Sequence, residues 1–190
     1  MPRTLLTVAL LAAGLAAMAS PAHADTFDVS GGIRIELGKG WSGRTMINPA
    51  MNFPGMKDML EEATETRLRT GDAGILISYM KFKTDKPANE AEMDDAANVK
   101  SAAMRAYGSQ AQEADPQATV RKAEGVVRAF VTLHPKSGNR FMVASGYPGG
   151  CVTVGTIRKG VAIHNVSIAS ENCEGAAHQE ALAALFGQAG

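Results

Sequence analysis

Three histidines, His134, His164 and His178, are the candidate general bases in the chain that follows residue 24. A catalytic serine or cysteine needs such a base within hydrogen-bonding distance. His164 alternates with apolar residues in a strand-like run, which favours a hydrogen-bonded histidine at the edge of the core. We expect His134, which precedes a proline, and His178, in the first turn of a helix, to be solvated.

No motif of a known catalytic or metal centre accompanies these histidines. The sequence contains no Gly-x-Ser-x-Gly, His-Glu-x-x-His or Cys-x-x-Cys, and no glycine-rich phosphate loop. The adjacent carboxylates Glu61 and Glu62, and likewise Asp94 and Asp95, lie near expected helix starts. Adjacent residues on a helix do not face each other, so we expect these pairs to complement helix dipoles. We therefore assign no catalytic residue, cofactor or metal ligand.

Methionine is unusually concentrated between residues 46 and 59, where Met46, Met51, Met56 and Met59 occur. Thioethers are soft ligands that suit Cu(I). Because no histidine or cysteine joins the cluster, the pattern favours methionines that fill gaps in the core. We expect these side chains to point inward, and we keep copper handling as an alternative.

Cys151 and Cys173 are the two cysteines of the chain. An even pair in an exported protein is typical of a disulfide. We therefore predict a Cys151–Cys173 bond that ties the start of one strand to the segment before the last helix.

The N-terminal segment predicts export. Residues 1–24 begin with a basic Arg3, continue through an apolar run from Leu5 to Ala19, and end in Ala22-His23-Ala24. This is the pattern of a secretory signal peptide, and its apolar run is shorter than a membrane span. We expect a signal peptide over 1–24, a single α+β domain over 25–190, and a periplasmic location.

The charge balance excludes partners that need a strongly basic protein. Lys and Arg total 19, as do Asp and Glu, so the formal net charge is zero. No basic excess is present to drive binding to nucleic acid, and we expect no stable membrane insertion.

Hydrophobic periodicity predicts an alternation of strands and helices. A polar capping box at Asn89 and Glu92 predicts the start of the longest helix. The second strand of a central hairpin has apolar residues on both faces, so we expect cover on both sides. The predicted strands are 33–37, 64–70, 75–83, 126–134, 139–147, 151–157 and 161–169, and the predicted helices are 56–63, 90–107 and 176–186.

The order of these elements resembles the PsbP-like family. The resemblance is carried by IRIELGKGW (33–41), AGILISYMKFK (73–83), the 90–107 helix, and the run from GVVRAFVTLH (125–134) to the final helix. It implies an α+β fold in which helices flank an antiparallel sheet as an α/β/α sandwich. Members of this family are mostly non-enzymatic accessory proteins, assembly factors and small binding proteins of the lumen or periplasm.

These observations predict a non-catalytic exported accessory or binding protein with a protein partner in the periplasm. One alternative is a periplasmic immunity or inhibitor protein that blocks a toxin or hydrolase. A second is a hydrolase whose site assembles from distant residues around His164. A third is a methionine-based copper-handling protein.

Overall fold

The computed structural model describes residues 24–83, 94–143 and 146–187. Residues 1–23 of the predicted signal peptide lie outside the described residues, as does the predicted capping box at Asn89 and Glu92. Strands account for 48% and helices for 22% of the described chain. The protein is therefore mostly β.

Eleven strands and three α-helices occur in the described ranges, together with one short 3₁₀ turn. In chain order they are β1 (Asp25–Val29), β2 (Ile33–Leu37), β3 (Ser42–Ile47), the 3₁₀ turn (Pro49–Asn52), α1 (Pro54–Met59), β4 (Leu60–Arg69), β5 (Ala73–Phe82), α2 (Asp95–Tyr107), β6 (Thr119–Ala123), β7 (Val126–Leu133), β8 (Phe141–Met142), β9 (Pro148–Gly149), β10 (Cys151–Lys159), β11 (Ala162–Ser170) and α3 (Ala176–Phe186).

Seven of the strands form one antiparallel sheet in the order β3-β4-β5-β11-β10-β7-β6. β5, with its alternating apolar residues, lies third from one edge. Short turns join β4 to β5 and β10 to β11, as expected for antiparallel neighbours. β1 and β2 form a separate hairpin, and β8 and β9 form a short ribbon.

One face of the large sheet carries the main core, and we call it the α3 face. Ile75 on β5 and Ile168 on β11 are register partners at its centre, and both are fully buried. Helix α3 and the β1–β2 hairpin pack over them through Leu185 and Ile35. Trp41, the last residue of the IRIELGKGW segment, is 6% exposed and belongs to the same cluster.

The opposite face, the α2 face, is only half covered. Val99 and Ala103 of α2 pack against Val131 and Val152 on β7 and β10. On the β3-β4-β5 half, alternate residues are mostly polar or only partly buried. We call this set the open half: Ser42, Arg44, Met46, Glu65, Arg67, Arg69, Leu76 and Ser78.

The predicted helix-flanked α/β/α sandwich is therefore wrong. Three short helices accompany a seven-stranded sheet. The α3 face is covered jointly by one helix and a β hairpin, whereas most side chains of the open half of the other face are exposed or only partly buried. The expectation that β5 is covered on both sides fails for the same reason, since Leu76 and Met80 are only partly buried.

Several predicted elements also change. In its described residues, 139–143 and 146–147, the predicted strand 139–147 supplies only the two-residue β8, and β7 pairs directly with β10. The predicted 56–63 helix ends at Met59, because Leu60 already pairs with Phe82 as the first residue of β4. The polar strands β3 and β6 have no apolar alternation strong enough to predict them.

Candidate functional site

His164, for which the sequence predicts a hydrogen-bonded place at the edge of the core, lies in the core beneath the β1–β2 turn. It is 1% exposed. Its Nε2 lies 2.8 Å from the carbonyl oxygen of Ser30, and its Nδ1 lies 3.3 Å from the carbonyl oxygen of Ile157. Burial lowers the pKa of His164 from its ordinary value, while the two carbonyls act in the opposite direction. Both ring nitrogens therefore face backbone oxygens instead of a nucleophile.

A cavity of about 180 Å³ reaches His164. Its described lining residues are glycine, aliphatic and basic residues besides His164, including Arg34, Arg128 and Lys159, with no serine, threonine, cysteine or carboxylate among them. The nucleophile that a hydrolytic base would activate does not line this cavity.

His178 is buried, so its predicted solvation is wrong. The side chain is 1% exposed and packs between α3 and the sheet. Nε2 lies 2.9 Å from Thr153 Oγ1, and Nδ1 lies 2.8 Å from Ser170 Oγ. Burial lowers the pKa of His178 to about 4. The sequence does contain a signal for this burial. Residues 178, 181 and 185 fall at i, i+3 and i+7, the spacing of the buried stripe of a helix.

The Ser170–His178 contact has the residue types of a nucleophile and a base, but it is closed to solvent. Ser170 is 2% exposed and Thr153 is fully buried. The Ser170 hydroxyl also donates to the carbonyl oxygen of Asn172 at 2.9 Å. A substrate has no access to these atoms, so the contact acts as a polar clamp between the sheet and α3.

The remaining histidine is exposed, as expected. His134 Nδ1 lies 2.7 Å from Glu113 Oε1 at the surface. The backbone N–H of His134 donates to the same carboxylate. This pair fastens the 110–117 segment to the end of β7.

The two acidic pairs have different settings. Asp94 is the N-cap of α2 and accepts a hydrogen bond from the Ala97 N–H at 2.9 Å, as a helix-start carboxylate should. Glu61 and Glu62 lie on strand β4, so their predicted place at a helix start is wrong. Glu61 instead pairs with Lys81 across the strands at 2.6 Å.

The methionine cluster does not fill the core. Met46, Met51 and Met56 are partly buried, and Met59 is 53% exposed. The prediction that these side chains point inward is therefore wrong. They occupy β3, the 3₁₀ turn and α1, at the C-terminal end of the β3 edge.

The structure places Cys151 and Cys173 at disulfide distance, with their Cα atoms 5.3 Å apart. Both residues are buried, and His178 Nε2 lies 3.8 Å from Cys151 Sγ. The predicted pairing is thus present in the fold, and it joins the first residue of β10 to the loop before α3.

A recess at the β3–β4 edge of the large sheet collects three arginine side chains. Its volume is about 490 Å³. Its charged side chains are Arg44, Arg67 and Arg69, and we call these three residues with their recess the arginine cleft. The other lining residues are Ser42, Gly43 and Leu68.

Strand geometry brings the three arginines to one face. Arg67 and Arg69 are two residues apart on β4, so both point to the α2 face. Arg44 on β3 is the register partner of Arg67, and Ser42 is the partner of Arg69. Like charges directly opposite each other in a sheet are destabilising.

A single carboxylate offsets this charge. Arg67 Nε donates to Glu65 Oε1 at 2.6 Å, and the Arg67 side chain is still 44% exposed. Within the described ranges, Arg44 and Arg69 form no ion pair with a carboxylate. The cleft therefore presents two guanidinium groups whose donors face solvent.

Sequence reasoning missed this cleft. The available signal is the alternation of Glu65, Arg67 and Arg69 in β4, which predicts one polar face of a strand. The third arginine joins only through the β3–β4 register, and that pairing has no local sequence signature.

None of the described helices is long and apolar enough to cross a membrane. No protein-family model, curated protein or solved structure matches this chain, so its likeness to the PsbP-like family stays a prediction.

Proposed function

We propose that this chain is a non-catalytic exported binding protein that holds an acidic protein partner in the arginine cleft. The observation that carries the proposal is the convergence of Arg44, Arg67 and Arg69 on one open face, where Glu65 is the one carboxylate that pairs with them among the described residues. Arginine forms planar two-point hydrogen bonds with carboxylates, and three guanidinium groups in one recess suit an acidic surface.

The repulsion inside the cleft makes an anionic partner favourable. Arg44 and Arg67 are register partners, so their two positive charges repel each other and destabilise the folded protein locally. A bound carboxylate between them relieves that repulsion and adds charge-assisted hydrogen bonds. The net charge of the whole chain is zero, so this attraction is local to the cleft.

One of the alternatives is itself a form of binding. A partner that is a secreted toxin or hydrolase would make this chain an immunity or inhibitor protein that uses the same cleft. The hydrolase alternative receives no support from His164, whose ring nitrogens face the carbonyls of Ser30 and Ile157. Copper handling is tested separately by Cu(I) titration of the methionine cluster.

The proposal is tested with a fluorescently labelled glutamate-rich peptide and the chain that begins at Asp25. Fluorescence anisotropy at low salt should show saturable binding. The double variant Arg44→Glu/Arg69→Glu should bind about tenfold more weakly or worse, because each lost guanidinium removes charge-assisted hydrogen bonds.

A matched control changes the same total charge elsewhere. Arg105→Glu/Lys122→Glu alters exposed basic residues on α2 and β6, and should leave the affinity within a factor of about two at physiological salt, where distant charges are screened. Equal weakening by both double variants would show non-specific attraction and overturn the proposal.

A further inference from the structure

We propose that the β3 edge takes up an extended acidic segment of the partner as an additional strand of the large sheet. This inference rests on the proposed function and specifies how the partner is held. The added strand would lie beside Ser42–Ile47, and its alternate carboxylates would face the arginine cleft.

The backbone of β3 is arranged to accept a strand. The Asn48 N–H donates to the Ala63 carbonyl oxygen at 3.0 Å, which fixes the alternation of the β3–β4 ladder. In an antiparallel ladder every second residue turns its N–H and C=O away from the neighbouring strand. Those outward residues are Gly43, Thr45 and Ile47.

This edge carries the charged Arg44 but lacks the other features that usually block strand addition. Its pairing with β4 runs without a register shift from Ser42 to Ile47, and the segment contains no proline or lysine. Among the described strands β3 pairs only with β4. Five of its six residues are exposed, and Ile47 is 75% exposed.

The side chains of β3 indicate which residues the added acidic strand should carry. Arg44 points to the α2 face beside Arg67, so a residue that flanks it there should be acidic. Thr45 and Ile47 point to the other face, where an apolar β-branched residue suits the exposed Ile47. The expected segment therefore alternates glutamate or aspartate with valine or isoleucine.

The same arginine disfavours a second copy of this chain as the occupant. Two β3 edges can pair only by matching their outward residues, Gly43, Thr45 and Ile47. The antiparallel alignment that matches all three places Arg44 of each copy opposite Met46 of the other, so the two Arg44 side chains lie one same-face pair apart, within reach of each other. Like charges at these positions are destabilising, whereas an acidic strand is attracted.

The test uses two peptides of one composition, an alternating Glu-Val-Glu-Val-Glu-Val and a block Glu-Glu-Glu-Val-Val-Val. Only the alternating peptide puts all its carboxylates on one face of a strand. We expect it to bind about tenfold more tightly than the block peptide. N-methylation of its first two valines should weaken binding by about thirtyfold, the factor that corresponds to the loss of two backbone hydrogen bonds.

A protein variant and an exchange measurement locate the strand. Ile47→Pro removes an outward N–H and should weaken binding, while Ile47→Thr keeps that N–H and should not. In hydrogen exchange the alternating peptide should protect the amides of Thr45 and Ile47. The amides of Arg44 and Met46, which already bond to β4, should change little.

The outcomes separate this inference from the proposed function. Equal binding of the alternating and block peptides, with loss in Arg44→Glu/Arg69→Glu, would overturn strand addition and leave the arginine cleft as a binding site. The absence of binding by either peptide would overturn both. Because the peptide comparisons use the unaltered protein, a variant that fails to fold leaves the test intact.

Discussion

Asp95 at the start of α2 and Arg158 near the end of β10 form a two-point ion pair that is closed off from solvent. Arg158 Nη2 lies 2.9 Å from Asp95 Oδ2, and Nε lies 3.3 Å from Oδ1. The two side chains are 3% and 7% exposed for Arg158 and Asp95 respectively. This pair fixes where the first turn of α2 meets the covered half of the α2 face.

Asp95→Asn should lower the free energy of unfolding by about 3–5 kcal/mol, because it leaves the Arg158 charge buried without its carboxylate. Urea denaturation followed by circular dichroism measures the loss. Asp94→Asn is the matched control, since asparagine is as good an N-cap as aspartate and should change stability little. Equal losses in the two variants would contradict the role assigned to the buried pair.

The Cys151–Cys173 disulfide should stabilise the fold by about 3 kcal/mol, the loop-entropy value for a separation of this size. The separation is 22 residues. Cys151→Ala/Cys173→Ala, and reduction of the unaltered protein, should each lower the urea midpoint. Alkylation before and after reduction should show the added mass only after reduction. An identical mass in both treatments would mean that the bond does not form in solution.

The stability of the fold should decrease as the pH falls from 6.5 towards 4. Burial lowers the pKa of His178 from 6.5 to about 4, so in this range the unfolded chain binds a proton that the folded chain does not. The stabilisation is complete above pH 6.5 and lost by about pH 4. A difference of this size corresponds to about 3 kcal/mol.

His178→Gln should flatten this dependence while His134→Gln, at an exposed position, should keep it. The residual slope in His178→Gln reflects His164, whose pKa is also lowered by burial, and the carboxylates. Urea denaturation at several pH values gives the slopes. Parallel curves for the unaltered protein and His178→Gln would show that His178 does not titrate differently on folding.

Gly155→Ala should destabilise the protein by about 1–3 kcal/mol through overpacking. A Cβ at position 155 would lie 2.3 Å from Phe186 Cζ and 2.8 Å from the Ala129 carbonyl oxygen. Gly71→Ala is the control, because a Cβ there meets no heavy atom within 4 Å. Thermal unfolding compares them, and a Gly155→Ala midpoint equal to that of Gly71→Ala would contradict this packing.

Strands that alternate strongly could be predicted from the sequence, and polar ones could not. β5 and β11 combine β-branched residues with a two-residue period, and the structure places them as neighbours in register. β6 has the sequence Thr-Val-Arg-Lys-Ala. Because it is a largely exposed edge strand, it needs no alternating apolar residues, and the sequence shows none. The sheet therefore has an edge that local patterns do not reveal.

The covering layers were harder to predict than the strands. The stretch from Asp25 to Leu37 folds as a separate hairpin over the α3 face, although its alternation equally suits a strand inside the large sheet. Which layer a strand joins depends on long-range packing. The sequence therefore predicts a helix-flanked sandwich, whereas a hairpin and one helix together cover the α3 face.

The candidate site, like the fold, could be predicted from the sequence only in part. Burial of His164 followed from its apolar neighbours in β11, whereas burial of His178 required noticing its helical spacing to Ala181 and Leu185. The arginine cleft depends on the β3–β4 register, which pairs Arg44 with Arg67 across a turn and a helix. A pairing of that kind is set by tertiary structure and leaves no local pattern.

The position of the disulfide also determines how the chain would carry a pulling force. Cys151 is the first residue of β10 and Cys173 follows β11, so the covalent link encloses the whole β10–β11 hairpin. Tension applied at the two chain ends would pass through the sulfur atoms and bypass the two strands at the centre of the sheet. Full extension of the oxidised chain would fall short of the reduced chain by about 70 Å, the contour length of the enclosed loop.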